Sequence, residues 1–120
     1  MIFGLFFKEK INRSLNKYMP NPTIERIEKE IKSNKVVLFV KGTPESPLCG
    51  FSAATMELFK KMDIPFHSVD VIANSDIRAT LPEYSKWPTF PQIFINGKLV
   101  GGCDIVHELH ESGELQKLLK

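Results

Sequence analysis

The sequence holds two cysteines, Cys49 and Cys103. Thiolate, not thiol, is the form of cysteine that attacks a disulfide or binds a soft metal. Thiolate is favoured at a helix N-terminus, where free N–H groups and the positive end of the helix dipole lie. Cys49 suits that description. It follows the apolar run Val36-Val37-Leu38-Phe39-Val40 and the proline-bearing loop Lys41-Gly42-Thr43-Pro44-Glu45-Ser46-Pro47, and a helix is expected from about Gly50 to Lys61. Lys41, at the far end of that loop, either adds a positive charge near the sulfur or is a plain surface lysine. In Cys49-Gly50-Phe51-Ser52, Ser52 stands where the second thiol of a C-x-x-C redox motif would be. Serine cannot form a disulfide. Cys49 therefore works through an external thiol, or serves as one metal ligand whose companions come from elsewhere, unless it is simply an inert cysteine.

The elements that would position this residue follow from periodicity. Ile24, Ile27 and Ile31 share one helical face, with Asn21 or Thr23 as cap and Asn34 as stop. Val36–Val40 reads as a strand buried on both faces. After the Gly50–Lys61 helix, a short strand is expected over Phe66–Val71. A further helix opens at Asn74-Ser75, with Pro82 disturbing its end. Trp87-Pro88-Thr89-Phe90-Pro91 is too proline-rich for a strand interior. Gln92–Ile95 and Lys98–Val100 flank Asn96-Gly97, the strongest short hairpin signal. Gly101-Gly102-Cys103 is a joint, Asp104 an N-cap candidate for the next helix, and Ser112-Gly113 its end, followed by a last short helix over Glu114–Leu119. Two strands joined by a helix should run parallel and the hairpin antiparallel. The expected architecture is α/β: a four-stranded mixed sheet with helices on both faces.

Composition narrows the function. The chain has 120 residues, 42% of them apolar and 25% charged, as in ordinary globular domains. No apolar run approaches the ~20 residues of a membrane span. The net charge of +2 is uneven. Residues 1–20 carry Lys8, Lys10, Arg13 and Lys17 against Glu9, whereas the rest holds slightly more acids than bases. Residues 21–120 thus form one domain without the basic surplus of a nucleic-acid binder. Residues 1–20 are a separate basic extension, with Phe3, Phe7, Ile11 and Leu15 at helical spacing. It fits a secretory signal poorly and a transit peptide weakly. His67, His107 and His110 make no zinc pattern with the cysteines, and the last two are expected to be solvated.

Five segments together resemble a known family: Lys41-Gly42-Thr43-Pro44, Cys49-Gly50-Phe51-Ser52, Trp87-Pro88-Thr89-Phe90-Pro91-Gln92, Asn96-Gly97 and Gly101-Gly102-Cys103-Asp104. In that order and spacing they look like the monothiol glutaredoxins of the CGFS type, over roughly residues 23–119. The resemblance implies the thioredoxin fold, and glutathione bound in a groove beside Cys49. It also implies a [2Fe–2S] cluster held between two subunits by one cysteine from each and one thiol from each of two glutathiones. Such homodimers deliver clusters to acceptor proteins, often with BolA-like partners. By position, Lys41 and Arg78 would meet the glutathione glycine carboxylate. Phe90 would lie where the tripeptide docks by backbone hydrogen bonds, and Pro91 would be a cis-proline. Cys103 and Asp104 would meet the γ-glutamyl end, and Cys49 would be the cluster ligand and reactive thiol. Without the family, Arg78 could be a solvated helix residue and Asp104 a cap alone. Trp87 reads as packing beneath the proline loop. The alternative activity is glutathione-dependent thiol–disulfide exchange through Cys49, expected to be weak because the long loop would misplace glutathione for that attack. The expected compartment is the cytoplasm, or a mitochondrial matrix if residues 1–20 are a presequence.

Overall fold

A computed structural model describes residues 21–120. The basic extension of residues 1–20 lies outside the described residues.

Helix α1 spans Pro22–Ser33. Asn21 caps it, its side-chain oxygen accepting from the N–H groups of Thr23 and Ile24, and Pro22 follows at the first position, where no N–H is missed. Strand β1, Val36–Val40, has all five residues buried. Helix α2 covers Gly50–Lys61, β2 covers His67–Asp70, and α3 covers Ser75–Ser85. Strands β3, Gln92–Ile95, and β4, Lys98–Gly101, form the hairpin, and α4, Cys103–Ser112, and α5, Glu114–Leu118, complete the chain.

The sheet order is β2-β1-β3-β4, with β1 parallel to β2 and antiparallel to β3, and β3 antiparallel to β4. Side chains alternate along β1 as the pleat requires. Val36, Leu38 and Val40 pack with Phe59 of α2, Val106 of α4 and Leu115 of α5. Val37 and Phe39 pack with Ile27 and Ile31 of α1 and with Ile77 and Leu81 of α3. Two apolar layers thus sandwich one strand, which is why its sequence is an unbroken apolar run. The hairpin turns on Asn96 and Gly97, whose φ values of 53° and 80° are both positive, as a type I′ turn requires.

Three details differ from the sequence reading. Strand β2 is shorter than Phe66–Val71, because Asp70 turns the chain: its Oδ1 accepts from the N–H groups of Gly42 and Ile72, both at 2.9 Å. Pro82 lies within α3 without breaking it, and the helix continues to Ser85 and stops where Lys86 takes a left-handed conformation. The ring removes one N–H, but burial of Ile77 and Leu81 keeps the helix against the sheet. Asp104 is not the cap of α4. Gly102 is, and Asp104 sits in the first turn, still near the positive helix end.

Candidate functional site

Strand β1 hands the chain directly to Lys41, and the loop that follows is tightly closed. Leu48 N–H donates to Lys41 O at 2.9 Å, Thr43 and Ser46 bond each other through their backbones, and Gly42 bridges to Pro47. Gly42 has φ +95°, and a Cβ there would stand 2.5 Å from the Ser46 oxygen. Only glycine fits this crossing. The loop returns the chain to Cys49, which is the N-cap residue of α2 and is partly exposed.

At that point the sulfur lies at the start of α2, where the first-turn N–H groups have no partner within the helix. The Ser52 N–H is the strongest influence lowering the Cys49 pKa below the ordinary thiol value. The Phe51 N–H, the Lys41 charge and the Ser52 hydroxyl act in the same direction, against the opposing effect of burial. Neither cysteine is in a disulfide.

Across from Cys49, the segment after α3 forms a second wall. The Phe90–Pro91 peptide is cis. Gln92 is fully buried and its Nε2 donates to Trp87 O at 2.8 Å, tying the start of this segment to the first residue of β3. The third wall is the start of α4, where Gly102 has its Cα close to the Trp87 ring and to Pro91 O. A Cβ on Gly102 would lie 3.4 Å from each.

These walls enclose a cavity of about 880 Å³. Every residue singled out from the sequence lines it: Lys41, Cys49, Arg78, Phe90, Pro91, Cys103 and Asp104. Lys41 and Arg78 bring positive charge to the cavity, and Asp104 brings a carboxylate beside a helix N-terminus. The cavity also uses Phe51, Thr89 and Trp87. Trp87 is therefore a wall as well as packing, with its Nε1 buried. Phe51 carried a signal in the sequence, as an aromatic residue in the first turn after a reactive cysteine. Gln92 carried none beyond its place after Pro91.

A shallower recess of about 540 Å³ adjoins Cys49 on the α4 side and includes Ala54, Cys103 and His107. His107 is not simply solvated. Its Nδ1 lies 2.8 Å from Cys103 O and 3.6 Å from Cys103 Sγ, because residues four apart share a helix face. Among the described residues, no group of three or more His, Cys, Asp or Glu side chains is placed to hold a metal ion. No described helix is long and apolar enough to cross a membrane.

A mixed sheet ordered β2-β1-β3-β4, a thiol at the start of the helix after the central strand and a cis-proline lining the same cavity define a thioredoxin-fold protein with a thiol-bearing site. The Glutaredoxin family model matches residues 36–100. The chain belongs to the glutaredoxin family. It is 50% identical over 102 residues to the probable monothiol glutaredoxin 2 of Rickettsia conorii, covering 85% of this chain and 95% of that one. It is also 50% identical over 98 residues to glutaredoxin 4 of Escherichia coli K12, covering 82% and 85%. The crystal structure of a buckwheat glutaredoxin–glutathione complex superposes with a TM-score of 0.73 at 30% identity, over 81% of this chain and 86% of that one.

Proposed function

We propose that this chain is a monothiol glutaredoxin of the CGFS type. It binds glutathione beside Cys49 and, as a homodimer, carries a [2Fe–2S] cluster to acceptor proteins. The observation that carries this reading is a single thiol, held toward thiolate, on the rim of a cavity with cations and a carboxylate on its walls.

The donor chemistry fits a shared cluster. An all-thiolate [2Fe–2S] centre takes four thiolates. Of the chain's two cysteines, Cys49 is the N-cap residue of α2, where the first-turn N–H groups push it toward the thiolate form. One Cys49 from each of two subunits and one thiol from each of two glutathiones complete the set. Leu48 and Phe51 flank Cys49 and are 62% and 61% exposed. Large apolar side chains presented beside a reactive sulfur suit a second subunit, or a BolA-like or acceptor protein that takes its place.

Glutathione carries two carboxylates and one ammonium, and the cavity offers matching charges. Lys41 and Arg78 pair with the glycine carboxylate, where the planar Arg fork suits two oxygens. Phe90 and Pro91 meet the tripeptide backbone as an added strand would. Cys103 and Asp104 meet the γ-glutamyl end through the open start of α4. Residues 21–120 are the working domain, residues 1–20 an extension to it, and the cytoplasm its compartment.

The test is anaerobic reconstitution with iron, sulfide and glutathione, followed by sizing and transfer to an apo-ferredoxin. The expected species is a dimer with two irons that fills the acceptor. An iron-free monomer would contradict the reading.

The lowered pKa and partial exposure of Cys49 also favour a second activity, glutathione-dependent disulfide exchange. The Cys49 thiolate attacks the glutathione sulfur of a mixed disulfide and releases the substrate as thiolate, which takes up a proton. A second glutathione thiolate then attacks the glutathione sulfur bound to Cys49, giving oxidised glutathione and free Cys49. Turnover of a glutathionylated peptide far above background, lost in Cys49→Ser, is the expected sign, and turnover at background would exclude it.

A further inference from the structure

Asp70, the last residue of β2, is half-buried, and its side chain is tied to two stretches of chain that lead to the cavity. Its Oδ1 accepts from Gly42 N–H and from Ile72 N–H, both at 2.9 Å. The first bond holds the Lys41–Gly42 peptide unit. The carbonyl of that unit accepts from Leu48 N–H at 2.9 Å, so both of its polar ends are fixed. The second bond begins the turn into α3. The main-chain carbonyl of Asp70 accepts from Asn74 N–H at 3.0 Å and from Asn74 Nδ2 at 2.8 Å. Asn74 O in turn accepts from Arg78 N–H at 3.1 Å.

Lys41 and Arg78 come from separate stretches of chain, and both line the cavity. The backbone of each is reached from Asp70 through hydrogen bonds, Lys41 by way of Gly42 and Arg78 by way of Asn74. We propose that Asp70 is a positioning residue for recognition of the glutathione glycine carboxylate: one side-chain oxygen sets the backbone of Lys41 and the turn that launches Arg78 relative to each other. Two cations serve one carboxylate best when their spacing is fixed before it arrives, because charge-assisted bonds then form without further ordering. Asp70 itself does not line the cavity, so it acts through these two residues. What the role needs is an accepting oxygen rather than a negative charge, and an amide oxygen accepts two N–H groups equally well. The inference rests on the proposed pairing of Lys41 and Arg78 with that carboxylate.

The test is calorimetry on the full, reduced chain with two ligands: glutathione, and glutathione whose glycine carboxylate is replaced by the neutral amide of the same shape. Native protein is expected to bind glutathione about tenfold or more tighter than the amide. Asp70→Ala should weaken glutathione binding about fivefold to tenfold and leave binding of the amide within about twofold of native. Asp70→Asn keeps the accepting oxygen and should stay within about twofold of native for both ligands. A residue that only held the fold together would weaken both ligands alike. Equal weakening of the two, unchanged glutathione binding in D70A, or a D70N variant as weak as D70A would overturn the proposal. Native protein that bound the two ligands equally would instead overturn the pairing of Lys41 and Arg78 with the glycine carboxylate. Should D70A fail to fold, Asp70→Val, which lacks the acceptor but suits a strand, carries the same expectations.

Discussion

Replacing Gly42 by alanine probes the loop on which the site depends. Gly42 has φ +95°, and an added Cβ would lie 2.5 Å from Ser46 O, 2.7 Å from Leu48 N and 3.0 Å from Pro47 Cα. All three are backbone atoms, so no side chain can swing away. The first two also make the bonds that close the loop, Thr43 N to Ser46 O at 3.2 Å and Leu48 N to Lys41 O at 2.9 Å. Relief of the clash breaks them. Positive φ costs an L-residue about 1–2 kcal/mol, and each lost bond about 1 kcal/mol, giving roughly 3–4 kcal/mol in all. A domain of ordinary stability, about 5–15 kcal/mol, stays folded under that load. With a urea slope of about 1–3 kcal/mol per molar, the unfolding midpoint should fall by roughly 1–4 M. Cys49 alkylation near neutral pH should slow at the same time, because Lys41 and Cys49 lie at the two ends of the loop. Gly50→Ala is the control, since its Cβ meets nothing within 4 Å. A G42A unfolding free energy within about 1 kcal/mol of native, with unchanged Cys49 reactivity, would refute the reasoning.

Other perturbations reach the scaffold and the cavity wall. Asp76 Oδ2 accepts from Thr23 Oγ1 at 2.9 Å and from Arg26, joining α3 to α1. The Thr23 bond first, then the Ile77 N–H and the Arg26 charge, hold its pKa below the ordinary aspartate value. A depressed carboxyl stabilises above its unfolded pKa and loses that effect as pH falls through its folded pKa. Urea melts should therefore show Asp76→Asn less stable than native at pH 7, and equal to it in acid below the lowered pKa. Gln92→Leu removes the donor to Trp87 O. It should cost about 1 kcal/mol and weaken glutathione binding measured by calorimetry, while Cys49 alkylation without glutathione stays as native. Phe59→Ala, at a fully buried position between α2 and the sheet, should lower stability by about 3–5 kcal/mol in a denaturant melt.

The features that were legible in the sequence are those where one residue type answers a strong local demand. The unbroken run Val36–Val40 had to be covered on both faces, and the two helix layers cover it. Asn96-Gly97 met the positive φ of a type I′ turn. Cys49 before a helical pattern fell at the N-cap. The cavity residues were reached through the family's segments rather than through periodicity, since they come from four separate stretches of chain. What escaped depended on contacts between such stretches. Gln92 reads as an ordinary strand residue until Trp87 O comes within 2.8 Å of it. His107 reads as solvated until the Cys103 carbonyl sits against its ring. Pro82 reads as a disturbance near the end of its helix, and Ile77 and Leu81, buried against the sheet, carry that helix on past it to Ser85. Asp104 reads as a cap because capping chemistry favours it, but Gly102 takes that place where Pro91 O and the Trp87 ring crowd in.

The central claim is that Cys49 and glutathione together supply the thiolates of a shared cluster. It is tested most directly by the visible absorption spectrum after anaerobic reconstitution with iron and sulfide, taken with and without glutathione, for native protein and Cys49→Ser. Sulfur-to-iron absorption is expected only for the native protein with glutathione, and is lost when glutathione is removed. A cluster spectrum that persists in Cys49→Ser, or that forms equally well without glutathione, would contradict it.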